Sequence, residues 1–150
     1  MTHVQLEAAV QHEVALAVLM HLQKGEINKA TAYFAESFHF NDHGIELEFT
    51  DVRQLADFFK KDRELYPESS LRIDRLLVSG DYVTIQWMRH TVFTEPFFFG
   101  GLSRKVPIAL HGASIVRIED GRIKEWSDYY DGLKSRRTAL ADHFTEWIEL

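Results

Sequence analysis

Asp128 stands between two aromatics in the segment Trp126-Ser127-Asp128-Tyr129-Tyr130-Asp131. In an extended chain alternate side chains share a face, so Trp126, Asp128 and Tyr130 lie together, with Ser127, Tyr129 and Asp131 on the other side. A carboxylate flanked by aromatics on a concave face loses water, which raises its proton affinity and makes it a usable acid or base. The competing reading is a carboxylate that only hydrogen-bonds a neighbouring strand. Arg89 shares a strand face with Val83, Ile85, Trp87, Thr91 and Phe93. An inward arginine requires a carboxylate partner, and Asp128 is the natural candidate, whether the pair serves catalysis or only structure.

Histidines are the other proton carriers near neutral pH. His39 shares a strand face with Asn41, and His111 is a second candidate on a later strand; either can equally be an ordinary core or surface residue. No metal site is expected from the eight histidines. His3, His12 and His21 are nine residues apart, so neighbours fall on opposite helix faces, while His39 and His43 are separated by a turn rather than stacked on one helix. There is no glycine-rich phosphate loop and no Gly-x-Ser-x-Gly elbow. No cofactor is implied.

The elements that must position these residues change period midway. From His3 to Lys24 apolar residues recur at Leu6, Val10, Val14 and Ala17, widened by Leu16, Met20 and Leu22, and Gly25 ends the pattern as a helix-stopping glycine does. A second short helix is predicted from Glu26 to about Ala35, burying Ile27, Ala30 and Phe34. Phe38 to Phe49 reads as a strand broken by Asn41-Asp42-His43-Gly44. Thr50 or Asp51 caps a third helix carrying Leu55, Phe58 and Phe59, which Pro67-Glu68-Ser69-Ser70 ends. Leu71 to Val78, Tyr82 to Phe93, Val106 to Ile118 and Arg122 to Tyr130 read as strands, with Ser79-Gly80-Asp81 and Glu119-Asp120-Gly121 as hairpin turns. Phe97-Phe98-Phe99-Gly100-Gly101 suits a lid, a dimer contact or core packing. An amphipathic helix with Leu133, Leu140, Phe144 and Trp147 closes the chain. Helices followed by an antiparallel meander predict one α+β domain over residues 1–150, with the helices on one face of a curved sheet.

Composition narrows the function classes. At 150 residues, 45% hydrophobic and 27% charged, the chain is an ordinary globular domain. The longest apolar run, Val14 to Met20, falls far below a membrane span of roughly 18–20 residues, and no secretory leader is visible at Met1-Thr2-His3. The absence of cysteine excludes disulfides and thiolate chemistry and fits a cytoplasmic protein. A net charge of −6, with basic residues mostly scattered, argues against nucleic-acid binding. Phenylalanine dominates the aromatics, with 11 residues against five tyrosines and three tryptophans, so either core or ligand pocket must absorb them.

The order of elements, together with Asp120-Gly121-Arg122-Ile123-Lys124-Glu125-Trp126-Ser127-Asp128-Tyr129-Tyr130-Asp131, resembles the nuclear transport factor 2-like superfamily. Within it the likeness is to the limonene epoxide hydrolase and SnoaL-like polyketide cyclase branch, supported by Lys24-Gly25-Glu26 and Phe40-Asn41-Asp42. The resemblance implies a cone-shaped sheet around an apolar pocket, and a homodimer; Tyr82, Met88, Val92 and Tyr129 on the outer strand faces also suggest association. It makes Asp128 catalytic and places Arg89 beside it. Asn41 matches a water-holding asparagine, and His39 replaces a tyrosine, so that His39 and Asp128 form a substitute proton-transfer pair. Trp87, Thr91, Trp126 and Tyr130 complete the expected substrate contacts. Thr91 departs from the hydrolases, which carry a second aspartate there. Acid/base chemistry on a small apolar molecule is the expectation, with isomerase, cyclase or dehydratase reactions ahead of epoxide hydrolysis because they need one proton shuttle. The alternative is a ligand-binding or dimerisation module without chemistry.

Overall fold

The computed structural model describes residues 1–96 and 103–132. Helix α1 (His3–Lys24) opens with a capping box, in which Thr2 and Gln5 satisfy each other's backbone amides. It closes on Gly25, whose left-handed φ of 75° lets its amide return to the carbonyls of His21 and Leu22. Its buried face is Gln11, Val14, Ala15, Val18 and Leu19. The predicted stripe is therefore rotated: Leu6, Val10 and Met20 are exposed. This helix carries apolar residues around most of its circumference, so the sheet decides which stripe is covered. Gln11 is tolerated inside because its Nε2 donates to the carbonyl of Ile118 at 2.8 Å.

Helix α2 (Ile27–Thr31) stops sooner than the sequence predicts. Phe34 is instead the first residue of β1 (Phe34–Asp42), where it pairs with Ile123, and the Ile123 amide reaches back to the Tyr33 carbonyl at 2.9 Å. Sheet hydrogen bonds thus take over three residues after the helix ends. A turn leads to β2 (Leu47–Phe49). Helix α3 (Val52–Leu65) is capped by Asp51, whose Oδ1 accepts from the amides of Arg53 and Gln54.

Four long strands follow: β3 (Ser70–Ser79), β4 (Tyr82–Pro96), β5 (Ser103–Glu119) and β6 (Arg122–Tyr130). Asp120 and Gly121, both at positive φ, make the two-residue turn between β5 and β6 that matches strand twist. The curved six-stranded sheet has the order β2-β1-β6-β5-β4-β3. The expected α+β class holds, with one pairing beyond the antiparallel meander: β1 runs parallel to β6. That pairing sets Asp42 in register with Asp128.

The core lies between the helices and one sheet face. Phe34, Phe38, Phe40, Trp87 and Trp126 pack there with Val18, Leu55 and Ile85. Phe40 meets Phe49, Phe58 and Phe59 with ring centroids 5.5–6.3 Å apart, so much of the phenylalanine excess is one aromatic cluster. Burying each such ring stabilises the fold by about 2–3 kcal/mol. The predicted lid segment Phe97–Gly101 and closing helix from Leu133 lie outside the described residues.

Candidate functional site

A cavity of about 460 Å³ opens between α1, α3 and the inner sheet face. Val18, Leu19 and Leu22 wall it from α1, Phe58 and Phe59 from α3, and Phe34 and Phe40 from β1. Asp128, Arg89, Trp87, Thr91, Trp126 and Tyr130 all line it. The aromatic side chains therefore leave space beside Asp128 rather than filling the interior.

Asp128 is held by neutral donors. Its Oδ1 accepts from the Ser114 hydroxyl at 2.5 Å and from Trp126 Nε1 at 2.7 Å. Ser114 is itself aimed by Trp87, whose Nε1 donates to the serine oxygen at 2.9 Å. Trp87 can lie flat here because residue 112 is glycine: a Cβ there would come within 2.4 Å of the indole ring. Burial pushes the Asp128 carboxyl up to about 6; the bonds from Ser114 and Trp126 oppose this, and the charge of Asp42 adds to it. A group titrating there can both take and return protons near neutral pH.

Arg89 does not pair with Asp128 as expected. Its guanidinium grips Asp62 of α3 with two prongs, Nη1 to Oδ1 at 3.1 Å and Nη2 to Oδ2 at 2.8 Å. Nε donates to Ser69 Oγ at 2.5 Å, and the cation lies 5.4 Å from the Tyr66 ring centre. The end of α3 brings a carboxylate to a better bidentate geometry than the sheet offers, while Asp128 is satisfied without a cation.

His39 and Asn41 are the second correction. Over the second half of β1 the buried positions are Phe38, Phe40 and Asp42, which turns the alternate residues His39 and Asn41 to the other face of the sheet. His39 is half-exposed, with Nε2 3.6 Å from a Glu48 carboxylate oxygen, and neither residue lines the cavity. A His39–Asp128 proton pair is excluded by this geometry. His111 is exposed on β5.

The same alternation delivers a carboxylate that sequence reasoning assigned to a turn. Asp42 is 6% exposed and lines the cavity. Its Oδ1 accepts from the amides of Gly44 and Ile45, and its Oδ2 accepts from the Tyr130 hydroxyl at 3.1 Å. Burial raises the Asp42 carboxyl, against these three bonds. Burial and the Asp42 charge likewise push the Tyr130 phenol upward, so it stays protonated. Continuing the period of two from Phe38 and Phe40 would have found Asp42. Thr91 is 7% exposed, and its hydroxyl has no hydrogen-bond partner among the described residues.

The family model for SnoaL-like polyketide cyclases matches residues 12–138. The chain belongs to that family. Among solved structures, this SnoaL-like chain is similar to a SnoaL-like protein from Shewanella denitrificans OS-217, at 17% identity and a TM-score of 0.74 over 88% of this chain and 98% of that one. An LEH-like epoxide hydrolase from M. tuberculosis aligns at 16% identity and a TM-score of 0.70, over 96% and 99% of the two chains. A protein with a ketosteroid isomerase-like fold from Catenulispora acidiphila DSM 44928 aligns at 20% identity and a TM-score of 0.68, over 79% and 85%. At such identities these neighbours share the fold of the SnoaL-like chain. No curated protein matches the sequence significantly.

Proposed function

We propose that this protein is a small-molecule enzyme in which Asp128 carries a proton to and from a largely apolar substrate. The observation that carries this reading is a buried carboxyl, held by neutral donors and pushed up to about 6 by its burial, on the wall of a cavity large enough for a small organic molecule. Membership of the SnoaL-like family, and the epoxide hydrolase among its fold neighbours, support it. Trp87, Trp126 and Tyr130 supply contact area, and the unpartnered Thr91 hydroxyl supplies a hydrogen bond to a polar group of the substrate. Exposed Ile45, Leu47 and Leu65 border the cavity, which favours an apolar ligand at its mouth. Arg89 holds α3 over the site through Asp62. Position 91 offers no carboxyl, so isomerisation, cyclisation or dehydration fits better than epoxide opening. We further propose a homodimer, supported by the exposed Leu77, Tyr82, Ile115 and Tyr129 on the outer strand faces. Met88 is not part of that surface, being 8% exposed with Arg72 against its sulfur.

The test is a panel of isomerisation, cyclisation, dehydration and epoxide substrates run against wild type and Asp128→Asn. Turnover should fall by about 10²–10⁴-fold in the variant, with ligand affinity nearly unchanged. Full activity in Asp128→Asn overturns the assignment. Binding without turnover of any panel member by wild type favours a ligand-binding module.

A further inference from the structure

Asp42 is a buried carboxylate with no part in the chemistry just described. It faces the same cavity as Asp128 and stands opposite it in the β1–β6 register. Its donors are two backbone amides and one phenol, all neutral. The other carboxylate of the cavity, Asp62, is neutralised by Arg89, so Asp42 is the one whose charge acts on Asp128 without an ion-pair partner among the described residues. The groups around Asp128 are Asp42 from β1, Ser114 from β5, Trp126 and Tyr130 from β6, and Trp87 and the Asp62-bound Arg89 from β4.

We infer that Asp42 is a positioning residue acting through Asp128: Asp42 keeps the negative charge, and that charge holds the exchangeable hydrogen on Asp128. This rests on the reading of Asp128 as proton carrier. Two nearby carboxylates resist simultaneous ionisation, and the one with more donors holds the negative charge. Asp42 has three donors and Asp128 two. When Asp128 passes its proton to a substrate, both groups are charged, and their repulsion drives the proton back. Turn formation alone does not require the Asp42 carboxylate. An asparagine closes the same turn through its side-chain oxygen, and the bond from Tyr130 joins Asp42 to the cavity rather than to the turn.

The experiment is a carbon-13 NMR titration of the aspartate carboxyls in wild type, Asp42→Asn and Tyr130→Phe. Asp42→Asn keeps the acceptor for Gly44 and Ile45 but removes the charge, so the Asp128 midpoint should drop by about one pH unit. Tyr130→Phe removes a donor from Asp42, so the Asp42 midpoint should rise and that of Asp128 should fall. An Asp128 midpoint unmoved in both variants overturns the inference. No substrate enters the measurement, so this failure is separate from that of the enzyme reading, which the turnover of Asp128→Asn decides. Once a substrate is known, the alkaline limb of its pH–rate profile, where Asp128 loses its proton, should shift to lower pH in Asp42→Asn.

Discussion

Asp128 sets activity against stability. The ordinary value for an aspartate carboxyl is 3.8, and burial in the fold pushes that of Asp128 up to about 6. Between those values the native state binds more protons than the unfolded state, so stability falls as pH rises through the window and stays lower above it. Asp128→Asn removes the buried charge while its side-chain oxygen can still accept from Ser114 and Trp126. The variant should be more stable than wild type by about 1–2 kcal/mol at pH 7.5, and the difference should close by pH 4. Urea unfolding at the two pH values checks this. A salt bridge to Arg89 would have given the opposite sign, by leaving the guanidinium without its carboxylate. The type of residue 128 and its aromatic neighbours were readable in advance; the sign of its contribution was not, since that depends on which group pairs with Arg89.

Helix α3 is tied to the sheet by the Arg89–Asp62 fork, with Ser69 and Tyr66 completing the grip. Both charged side chains are partly exposed, so the pair is worth less than a fully buried one. Asp62→Ala should lower stability by about 1–3 kcal/mol, measured as a reduced urea midpoint, because Arg89 keeps only neutral partners. The boundaries of α3 could be read beforehand from a cap at Thr50 or Asp51, of which the structure uses Asp51, and from the Pro67 stop, since both act within a few residues. The role of Asp62 could not, because its partner lies 27 residues away on a strand. For α2 the same contrast explains the early end: local propensity extends the helix, but pairing of Phe34 with Ile123 claims the backbone for the sheet.

At the scale of the whole molecule, Leu77 and Ile115 both pair with Thr84 across adjacent strands, which lays an exposed apolar row on the face opposite the helices. Tyr82 and Tyr129 extend it, the latter stacked on His43 with ring centroids 4.3 Å apart. Light scattering at micromolar concentration should give twice the 17.5 kDa of the chain. Ile115→Lys, which places a charge in that row, should return the monomer mass with an unchanged circular dichroism spectrum. A monomeric wild type would overturn the proposed dimer.

What the sequence by itself determined is whatever depends on neighbours in the chain. The four long strands, their tight turns, the Gly25 stop and the Asp51 cap follow from periodicity and local backbone chemistry. So does the sharing of one face by Trp87, Arg89 and Thr91, and of another by Trp126, Asp128 and Tyr130. The order of elements together with the Asp120–Asp131 segment pointed to the family. Only the tertiary structure decided which face of β1 points inward, exchanging His39 and Asn41 for Phe40 and Asp42. It also chose Asp62 over Asp128 for Arg89, and through the parallel β1–β6 pairing it set Asp42 opposite Asp128. Alternation along a strand fixes which residues travel together, but the choice of inner face and of charge partner depends on packing between elements distant in the chain, which no local pattern encodes.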